Sequence, residues 1–206
     1  MHILAARPSE GKSTMLLNWL VFLACYRETP ALLFSLEMKG RALAGKIIAA
    51  EGQVDHTLLR RAKLGEADWR QVTETCAQLA GRPLYVDDSR GLTVDQLAVR
   101  ARRAVRKHGV KVIGPGLSDL KESGALEEDA DQVMFIYHPG GELKSGVKEL
   151  IVRKNRLGPV GTALVWWEGE HQLFRSVGTH EAAEYREAQA RGGRRGGRRV
   201  HRVHRV

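Results

Sequence analysis

Residues 6 to 13 carry the first pattern in this chain that could do chemistry. They read Ala-Arg-Pro-Ser-Glu-Gly-Lys-Ser, the spacing of a phosphate-binding loop, G-x-x-x-x-G-K-[ST], with Ala6 at the first glycine position. In such a loop, backbone N–H groups surround a phosphate at the positive end of a helix. Lys12 would reach the β- and γ-phosphates, and the Ser13 hydroxyl would ligate Mg²⁺. The pattern predicts binding of ATP and Mg²⁺ through Ala6, Arg7, Pro8, Ser9, Glu10, Gly11, Lys12, Ser13 and Thr14.

The segments on both sides of this loop have the patterns that it requires. Met1 to Ala5 is an apolar run typical of a strand, and Thr14 to Arg27 repeats apolar residues at helical spacing. Strand, loop and helix in this order are the context of a phosphate-binding loop. The alternative is an ordinary helix that begins with a lysine and a serine.

Glu37 is a second candidate for chemistry. It follows the short apolar run from Ala31 to Ser35, which predicts a second buried strand. This strand should deliver Glu37 to the same edge of the sheet as the loop. The alternative role of Glu37 is to cap the helix that begins after it.

Strands and helices alternate through the first half of the chain. Further strands are predicted at Leu84 to Asp88 and at Val110 to Ile113, with helical periodicity between them. This order predicts an α/β fold with a mainly parallel sheet flanked by helices. Gly114-Pro115-Gly116 should end the fourth strand, because proline has no N–H to donate inside a sheet. Later strands, which end in an antiparallel meander, are predicted at Val133 to Tyr137, Glu149 to Arg153, Thr162 to Trp167 and His171 to Phe174.

The composition is typical of one soluble globular domain. The 206 residues are 43% hydrophobic and 28% charged. No apolar run approaches the length of a membrane span and no signal peptide is visible, so we expect a cytoplasmic protein without a membrane segment. Cys25 and Cys76 fall in helical patterns and are expected to be buried thiols, with no metal site or disulfide framework.

Positive charge is concentrated at the end of the chain. The net charge is +9, and the segment from Arg191 to Val206 contains seven arginines and no acid. Its short repeats offer nothing from which to build a core. Residues 178–206 are therefore predicted to form a disordered Arg/Gly-rich basic tail beyond a domain at residues 1–177. The tail either tethers nucleic acid or is the product of a repetitive coding stretch.

Five stretches of the chain occur in the order of a known family. From residue 1 to about 175 the chain resembles the C-terminal motor domain of the DnaB-type replicative DNA helicases, a RecA-like ATPase family. Ala6 in place of glycine is usual in that family. The resemblance implies a RecA-like P-loop NTPase core that hydrolyses ATP with Mg²⁺, translocates on single-stranded DNA and assembles as a homo-hexamer. The matching stretches are Ala5 to Lys12, Phe34 to Met38, Tyr85 to Asp88, Leu117 to Gly124 with Glu128 to Asp131, and Lys154 to Thr162.

The resemblance also implies roles for individual residues. Glu37 would orient and deprotonate the attacking water. Arg156, with Lys154 beside it, resembles an arginine finger that reaches the ATP site of a neighbouring subunit, and both should point the same way along a strand. The alternative is two surface cations at the mouth of a hairpin. The residues that match the loop gripping single-stranded DNA in the family are Lys121, Glu122 and Gly124, with lysine in place of the usual arginine.

The resemblance further implies an internal deletion near residues 113–116. In the family, the strand matching Val110 to Ile113 ends in an aspartate that holds Mg²⁺, and a DNA-binding loop, a long helix and another strand follow. Here Ile113 leads directly into Gly114-Pro115-Gly116, so at least one helix and strand, on the order of 30 residues, are missing. Asp87 or Asp88 either substitutes for that aspartate or belongs to a turn after the third strand.

Three functional interpretations follow from these observations. The first is an ATP-driven DNA helicase motor. The second is a non-catalytic module that binds nucleotide and DNA without turnover. The third is a remnant without a stable fold, because the loss of an inner strand exposes neighbours that a parallel sheet buries on both sides.

Overall fold

A computed structural model of the protein describes residues 2–7, 10–116, 130–138 and 146–193. The chain divides into two compact units rather than the single domain predicted from its length. The first unit comprises the described residues within 1–12, 121–169 and 174–206. The second comprises those within 13–120 and 170–173. Each unit has its own β-sheet, which is the physical reason for the division.

The second unit contains a parallel sheet of three strands. Strand β2 (Ala31–Ser35) lies in the middle, and its Ala31 is in register with Leu84 on one side and Val112 on the other. The outer strands are β3 (Leu84–Asp87) and β4 (Val112–Gly116). Its helices are α1 (Lys12–Val21), α2 (Gly40–Gly52), α3 (His56–Arg60), α4 (Glu66–Leu79) and α5 (Val94–His108). The first residue of α1, Lys12, is the last residue before the second unit begins. After Val21, α1 continues as a π-helical turn at Phe22–Tyr26.

Strand β2 is buried on both faces, so it forms the centre of the second unit. Because side chains alternate along a strand, Leu33 faces one helix layer while Leu32 and Phe34 face another. Leu33 packs in a cluster with Leu17 and Leu20 of α1. Leu32 and Phe34 pack with apolar residues of α5, which begins with a capping box at Thr93. Helices on both faces of a parallel strand are the layering that the sequence predicted.

Strand β4 runs through Pro115, although the sequence predicted that Gly114-Pro115-Gly116 would end it. Pro115 is in register with Phe34 of β2. Among the described residues, β4 pairs with β2 and with no other strand. At the edge of a sheet one row of N–H groups is not used for pairing, so a proline is tolerated there. The prediction was wrong because it assumed that this strand was central.

The first unit contains a five-stranded sheet in the order β1-β5-β6-β7-β8. Strand β1 (His2–Ala6) pairs in parallel with β5 (Gln132–Tyr137). From β5 the sheet continues as antiparallel pairs through β6 (Gly146–Asn155) and β7 (Gly161–Glu168), with β8 (Leu173–Ser176) at the far edge. The α/β class and the antiparallel meander are confirmed. The mainly parallel sheet is confirmed only for the second unit.

Helix α6 (Thr179–Gly193) occupies the first half of the segment predicted to be disordered. The prediction was wrong for these residues, because specific contacts hold the helix on the first unit. The Tyr185 hydroxyl donates a hydrogen bond of 2.8 Å to Glu149 of β6. Near the helix start, Glu181 accepts a hydrogen bond of 2.7 Å from the backbone N–H of Gly178, which satisfies one of the free N–H groups of a first turn. Residues 194–206 lie outside the described part of the chain.

Arg175 of β8 links this helix to the sheet. Its guanidinium group contacts Glu168 of β7 at 2.6 Å and Glu181 of α6 at 2.6 Å. It also lies over the ring of Trp166, 4.9 Å from the centroid. The hydrogen bond from Arg175, aided by that from Gly178, lowers the pKa of Glu181 to about 2.

The structure tests the expectation of two buried cysteines. Cys76 is exposed and Cys25 is half-buried, so the prediction of two buried thiols was wrong. Helix α4 turns Val72 and Thr75 inward, which places Cys76 on the solvent side. In the described part of the chain, no helix is both long and apolar enough to cross a membrane.

The Glu181 carboxylate makes the docking of α6 sensitive to acid. Because its pKa falls from an ordinary 4.5 to about 2 in the folded state, its stabilising effect is present above about pH 4.5 and is lost as the pH falls towards 2. We expect Glu181→Gln to lower the free energy of unfolding at pH 7, and this difference from wild type to vanish near pH 2. Urea unfolding at several pH values measures it. Glu184→Gln on the exposed face of the same helix is the control, and equal stability of wild type and Glu181→Gln at pH 7 would contradict the prediction.

Candidate functional site

The predicted phosphate-binding loop lies between a strand and a helix, as the sequence pattern requires. Strand β1 ends at Ala6 and helix α1 begins at Lys12. Between them, the backbone N–H of Glu10 donates a hydrogen bond of 3.2 Å to the carbonyl of Arg7, which closes a turn. Pro8 and Ser9 lie outside the described residues.

Gly11 adopts a backbone conformation that strongly favours glycine. Its φ is +92°, in the region that other residues rarely adopt. A Cβ atom at this position would lie 2.9 Å from Cζ of the Phe174 ring. The backbone conformation and the Phe174 ring both exclude a side chain here. Glycine at this position is also what the phosphate-binding pattern requires.

Lys148 of β6 contacts the loop, although the sequence analysis did not identify it. Its side chain is fully buried, and its ammonium group donates hydrogen bonds to the carbonyl and to the carboxylate of Glu10. The sequence carried one signal for this residue. Lys148 shares its strand face with Leu150 and Val152, and a lone lysine on the apolar face of a strand needs a partner.

A second cation that was not predicted from the sequence contacts the first turn of α1. Lys46 of α2 donates a hydrogen bond of 2.9 Å to the hydroxyl of Thr14, which is buried. Burial lowers the pKa of the Lys46 ammonium group. The Thr14 hydroxyl therefore accepts a hydrogen bond from Lys46, and the role of Ser13 as a metal ligand stays a prediction. Lys46 lies between the buried residues Leu43 and Ala50 at helical spacing, which was its signal in the sequence.

Glu37 lies in the bend that follows the carboxyl end of β2. It is exposed, and the described residues offer it no hydrogen bond or ion pair. The bend is closed by a hydrogen bond of 2.7 Å from the Ser35 hydroxyl to the carbonyl of Met38. Helix α2 begins at Gly40, whose N–H is bound by Asp88 rather than by Glu37. The alternative role of Glu37 as a helix cap is therefore wrong, and its carboxylate stays available for chemistry.

Asp87 and Asp88 are both engaged in structural contacts at the end of β3. Asp88 accepts the hydrogen bond from Gly40 at 2.7 Å. Asp87 contacts Arg100 at 2.9 Å and accepts a hydrogen bond of 3.0 Å from the N–H of Ser89. Burial raises the pKa of Asp87, but the hydrogen bonds from Ser89 and Arg100 outweigh it, so the pKa is lowered. These contacts favour the turn over a substitute metal ligand.

Lys154 and Arg156 lie at the end of the first sheet opposite to the loop. Lys154 is in register with Val133 of β5, which is itself in register with Ile3 near the start of β1. The loop begins after Ala6, three residues or about 10 Å further along β1. Arg156 lies in the turn after β6 and contacts Asp131 at 3.4 Å, so the expectation that both cations alternate along one strand was wrong.

The predicted DNA-binding residues Lys121, Glu122 and Gly124 lie outside the described residues. Across the described ranges, no group of three or more histidine, cysteine or acidic residues is arranged to hold a metal ion. Binding of Mg²⁺ through the Ser13 hydroxyl therefore stays a prediction.

The sequence is similar to one protein family and to several curated proteins. The family model described as DnaB-like helicase C terminal domain matches residues 1–114 and 114–176. The replicative DNA helicase DnaB of Pasteurella multocida is 31% identical over 234 residues, covering 84% of this chain and 50% of that protein. The DnaB of Haemophilus influenzae is 30% identical over 247 residues, covering 90% of this chain and 52% of that protein. The chain thus spans about half the length of these relatives.

Solved structures support the same fold. The ATPase domain of G40P matches with a TM-score of 0.75 and 22% identity, covering 86% of this chain and 84% of that one. A DnaB-like replicative helicase, described with its interactions with primase, matches with the same TM-score and identity over 86% of this chain and 57% of that one. Both likenesses concern the fold, because their sequence identity is low.

Removal of the Asp88 side chain tests whether it is a structural residue. We expect Asp88→Ala to lower the free energy of unfolding by about 1 kcal/mol, because Gly40 at the start of α2 loses its acceptor. Chemical denaturation measures the change, and Glu74→Ala on the exposed surface of α4 is the control. An Asp88→Ala protein of unchanged stability that no longer responds to Mg²⁺ in nucleotide binding would identify Asp88 as a metal ligand instead.

Proposed function

Since the chain belongs to the DnaB-like helicase C-terminal domain family, we propose that it is an ATP-dependent DNA helicase motor domain of the replicative type. In this proposal it couples ATP hydrolysis to translocation on single-stranded DNA. The observation that carries the proposal is the phosphate-binding loop, in which Gly11 has a positive φ and no room for a side chain directly before Lys12. The geometry suits a nucleotide phosphate at the start of α1.

Within this proposal, the loop residues bind and orient ATP. Lys12 holds the β- and γ-phosphates, and the backbone of Glu10 and Gly11 encloses them. The Ser13 hydroxyl holds Mg²⁺, which neutralises phosphate charge when bound. Glu37 accepts the proton of the attacking water, consistent with its exposed carboxylate at the end of β2.

The position of Lys154 and Arg156 supports a role in a neighbouring subunit. Lys154 lies about 10 Å along the first sheet from the end that carries the loop of its own chain, and Arg156 follows in the turn beyond it. Both are therefore poorly placed for the phosphates of their own loop. In a ring of identical subunits, the cations of one chain would neutralise charge on the phosphates bound by the next, which can contribute about 10³-fold or more in rate. We therefore infer a homo-hexameric assembly as the active form.

A second candidate function is a non-catalytic module that holds nucleotide and DNA. It is favoured by β4, which ends in Gly114-Pro115-Gly116 and provides no acid. The two matched segments of the family model meet at residue 114, inside this strand. The alignment with the Pasteurella protein also runs over 234 residues, more than the 206 of this chain. Both facts support an internal deletion near residues 113–116 that removed the metal-binding aspartate.

DNA binding is proposed from sequence. Lys121, Glu122 and Gly124 match the DNA-gripping loop of the family, and the arginines from Arg194 onwards would add contacts with phosphate. Contacts of this second kind depend strongly on salt concentration and do not depend on ATP.

The rate of ATP hydrolysis separates the two candidate functions. We expect turnover to be at least 100-fold below that of an intact relative, about 2.7 kcal/mol of barrier, because the metal site lacks its acid. We expect Glu37→Gln to abolish the remaining hydrolysis while ATP affinity, measured by calorimetry, stays within about threefold of wild type. Glu66→Gln, an exposed residue at the start of α4, is the control. Turnover equal to that of an intact relative would exclude the non-catalytic module, and no turnover above the Glu37→Gln background would exclude the motor.

A further inference from the structure

Glu10 of the phosphate-binding loop is tied to the interior of the first unit by Lys148. The ammonium group of Lys148 donates hydrogen bonds of 3.0 Å to the backbone carbonyl of Glu10 and 3.1 Å to its carboxylate. Lys148 has no exposed side-chain surface, and the Glu10 side chain is 15% exposed. Glu10 of the loop therefore forms a buried ion pair with Lys148.

Two aromatic rings enclose the same ammonium group. It lies 5.6 Å from the ring centroid of Trp167 and 6.0 Å from that of Phe174, within reach of cation–π attraction. The two rings contact each other with centroids 4.6 Å apart. Phe174 also fills the space next to Gly11. The loop residues Glu10 and Gly11 thus touch one compact cluster, formed by Lys148, Trp167 and Phe174, which we call the support cluster.

The burial of the Lys148 ammonium group limits the conformations that Glu10 can adopt. An ammonium group without a partner is very costly in an apolar interior, so conformations of Glu10 that leave Lys148 unpaired are disfavoured. Without such a tie, Gly11 would allow the loop a wide range of backbone conformations. The support cluster therefore reduces the freedom of the loop before any nucleotide binds, and less entropy is lost on binding.

The bond to the Glu10 carbonyl also determines where the next N–H group points. The carbonyl of Glu10 and the N–H of Gly11 belong to one planar peptide unit, and in the trans form they point in opposite directions. Because Lys148 holds the carbonyl towards the interior, the Gly11 N–H is directed away from it. This is the group that a phosphate-binding loop must present to its ligand.

We propose that Lys148 is a positioning residue for the phosphate-binding loop, acting through the Glu10 carbonyl on the Gly11 N–H. The expected effect on ATP affinity rests on the proposed nucleotide-binding function. The expected effect on the conformation of the loop does not, because it concerns the protein without nucleotide. Lys148 acts through Glu10 and not by contact with the phosphates. Its partner is in the loop itself, which distinguishes it from a residue that only stabilises the sheet.

The test compares three variants with wild type. Lys148→Met removes the ammonium group but keeps an unbranched side chain of similar length. Glu10→Met/Lys148→Met also removes the carboxylate, so that no buried charge is left unpaired if the single variant folds poorly. Arg175→Met is the matched control, because it breaks an ion-pair cluster of the same unit that contacts neither Glu10 nor Gly11.

The first measurement is amide hydrogen exchange over residues 10–14 in the nucleotide-free protein. We expect exchange at least 10-fold faster in Lys148→Met and in the double variant, and unchanged in Arg175→Met. The second is ATP affinity with Mg²⁺ by calorimetry, with an expected loss of about 10-fold or more in the same two variants. Wild-type exchange and affinity in the double variant would overturn the proposal, as would equally fast exchange in Arg175→Met.

A further variant separates positioning from a direct electrostatic effect. Glu10→Gln removes the negative charge but keeps the carbonyl and a side-chain oxygen as acceptors for Lys148. Positioning therefore predicts loop exchange slower than in Lys148→Met and no gain in ATP affinity over wild type. If Lys148 attracted the phosphates by charge, Glu10→Gln would instead strengthen ATP binding about 10-fold and Lys148→Met would leave loop exchange unchanged, which would contradict positioning. A wild-type protein that binds no ATP would refute the proposed function, while the exchange measurement would still decide the role of Lys148.

Discussion

The constraint on which the rest of this structure depends is the pairing of its parallel strands. A buried parallel strand normally has neighbours on both sides. In the described ranges, β1 pairs with β5 alone and β4 with β2 alone. Each sheet therefore ends at a parallel strand, and the chain forms two units instead of one. The tolerance of Pro115 in β4 follows from the same fact, because an edge strand does not need every N–H group.

The candidate site depends on the antiparallel half of the first unit. The loop follows β1, and its Glu10 and Gly11 contact Lys148 of β6 and Phe174 of β8. Trp167 of β7 packs against both of these side chains. The meander therefore contacts the loop, and its strand β6 also pairs with β5. These contacts explain how Glu10 and Gly11 keep a defined position after the edge strand β1.

The sequence predicted the loop but not its support. The small residues, Lys12 and the strand-to-helix context are local features, so spacing alone identified them. Lys148 was missed because its partner Glu10 is distant in sequence, and local periodicity carries no information about distant pairing. Pro115 was misjudged because edge and central strands have the same local pattern. Helix α6 was missed because its docking depends on Arg175 and Glu149, while the composition beyond Arg191 dominated the interpretation of the whole segment.

Thermal unfolding with and without Mg-ATP tests most directly whether this chain is a folded nucleotide-binding domain. Ligand at about 100 times its dissociation constant stabilises a folded protein by about 2.7 kcal/mol, which raises the midpoint of a chain of this size by about 5 °C or more. We predict a cooperative transition that shifts by this amount in wild type and does not shift in Lys12→Ala. A broad transition without cooperativity, or an equal shift in both proteins, would contradict the account.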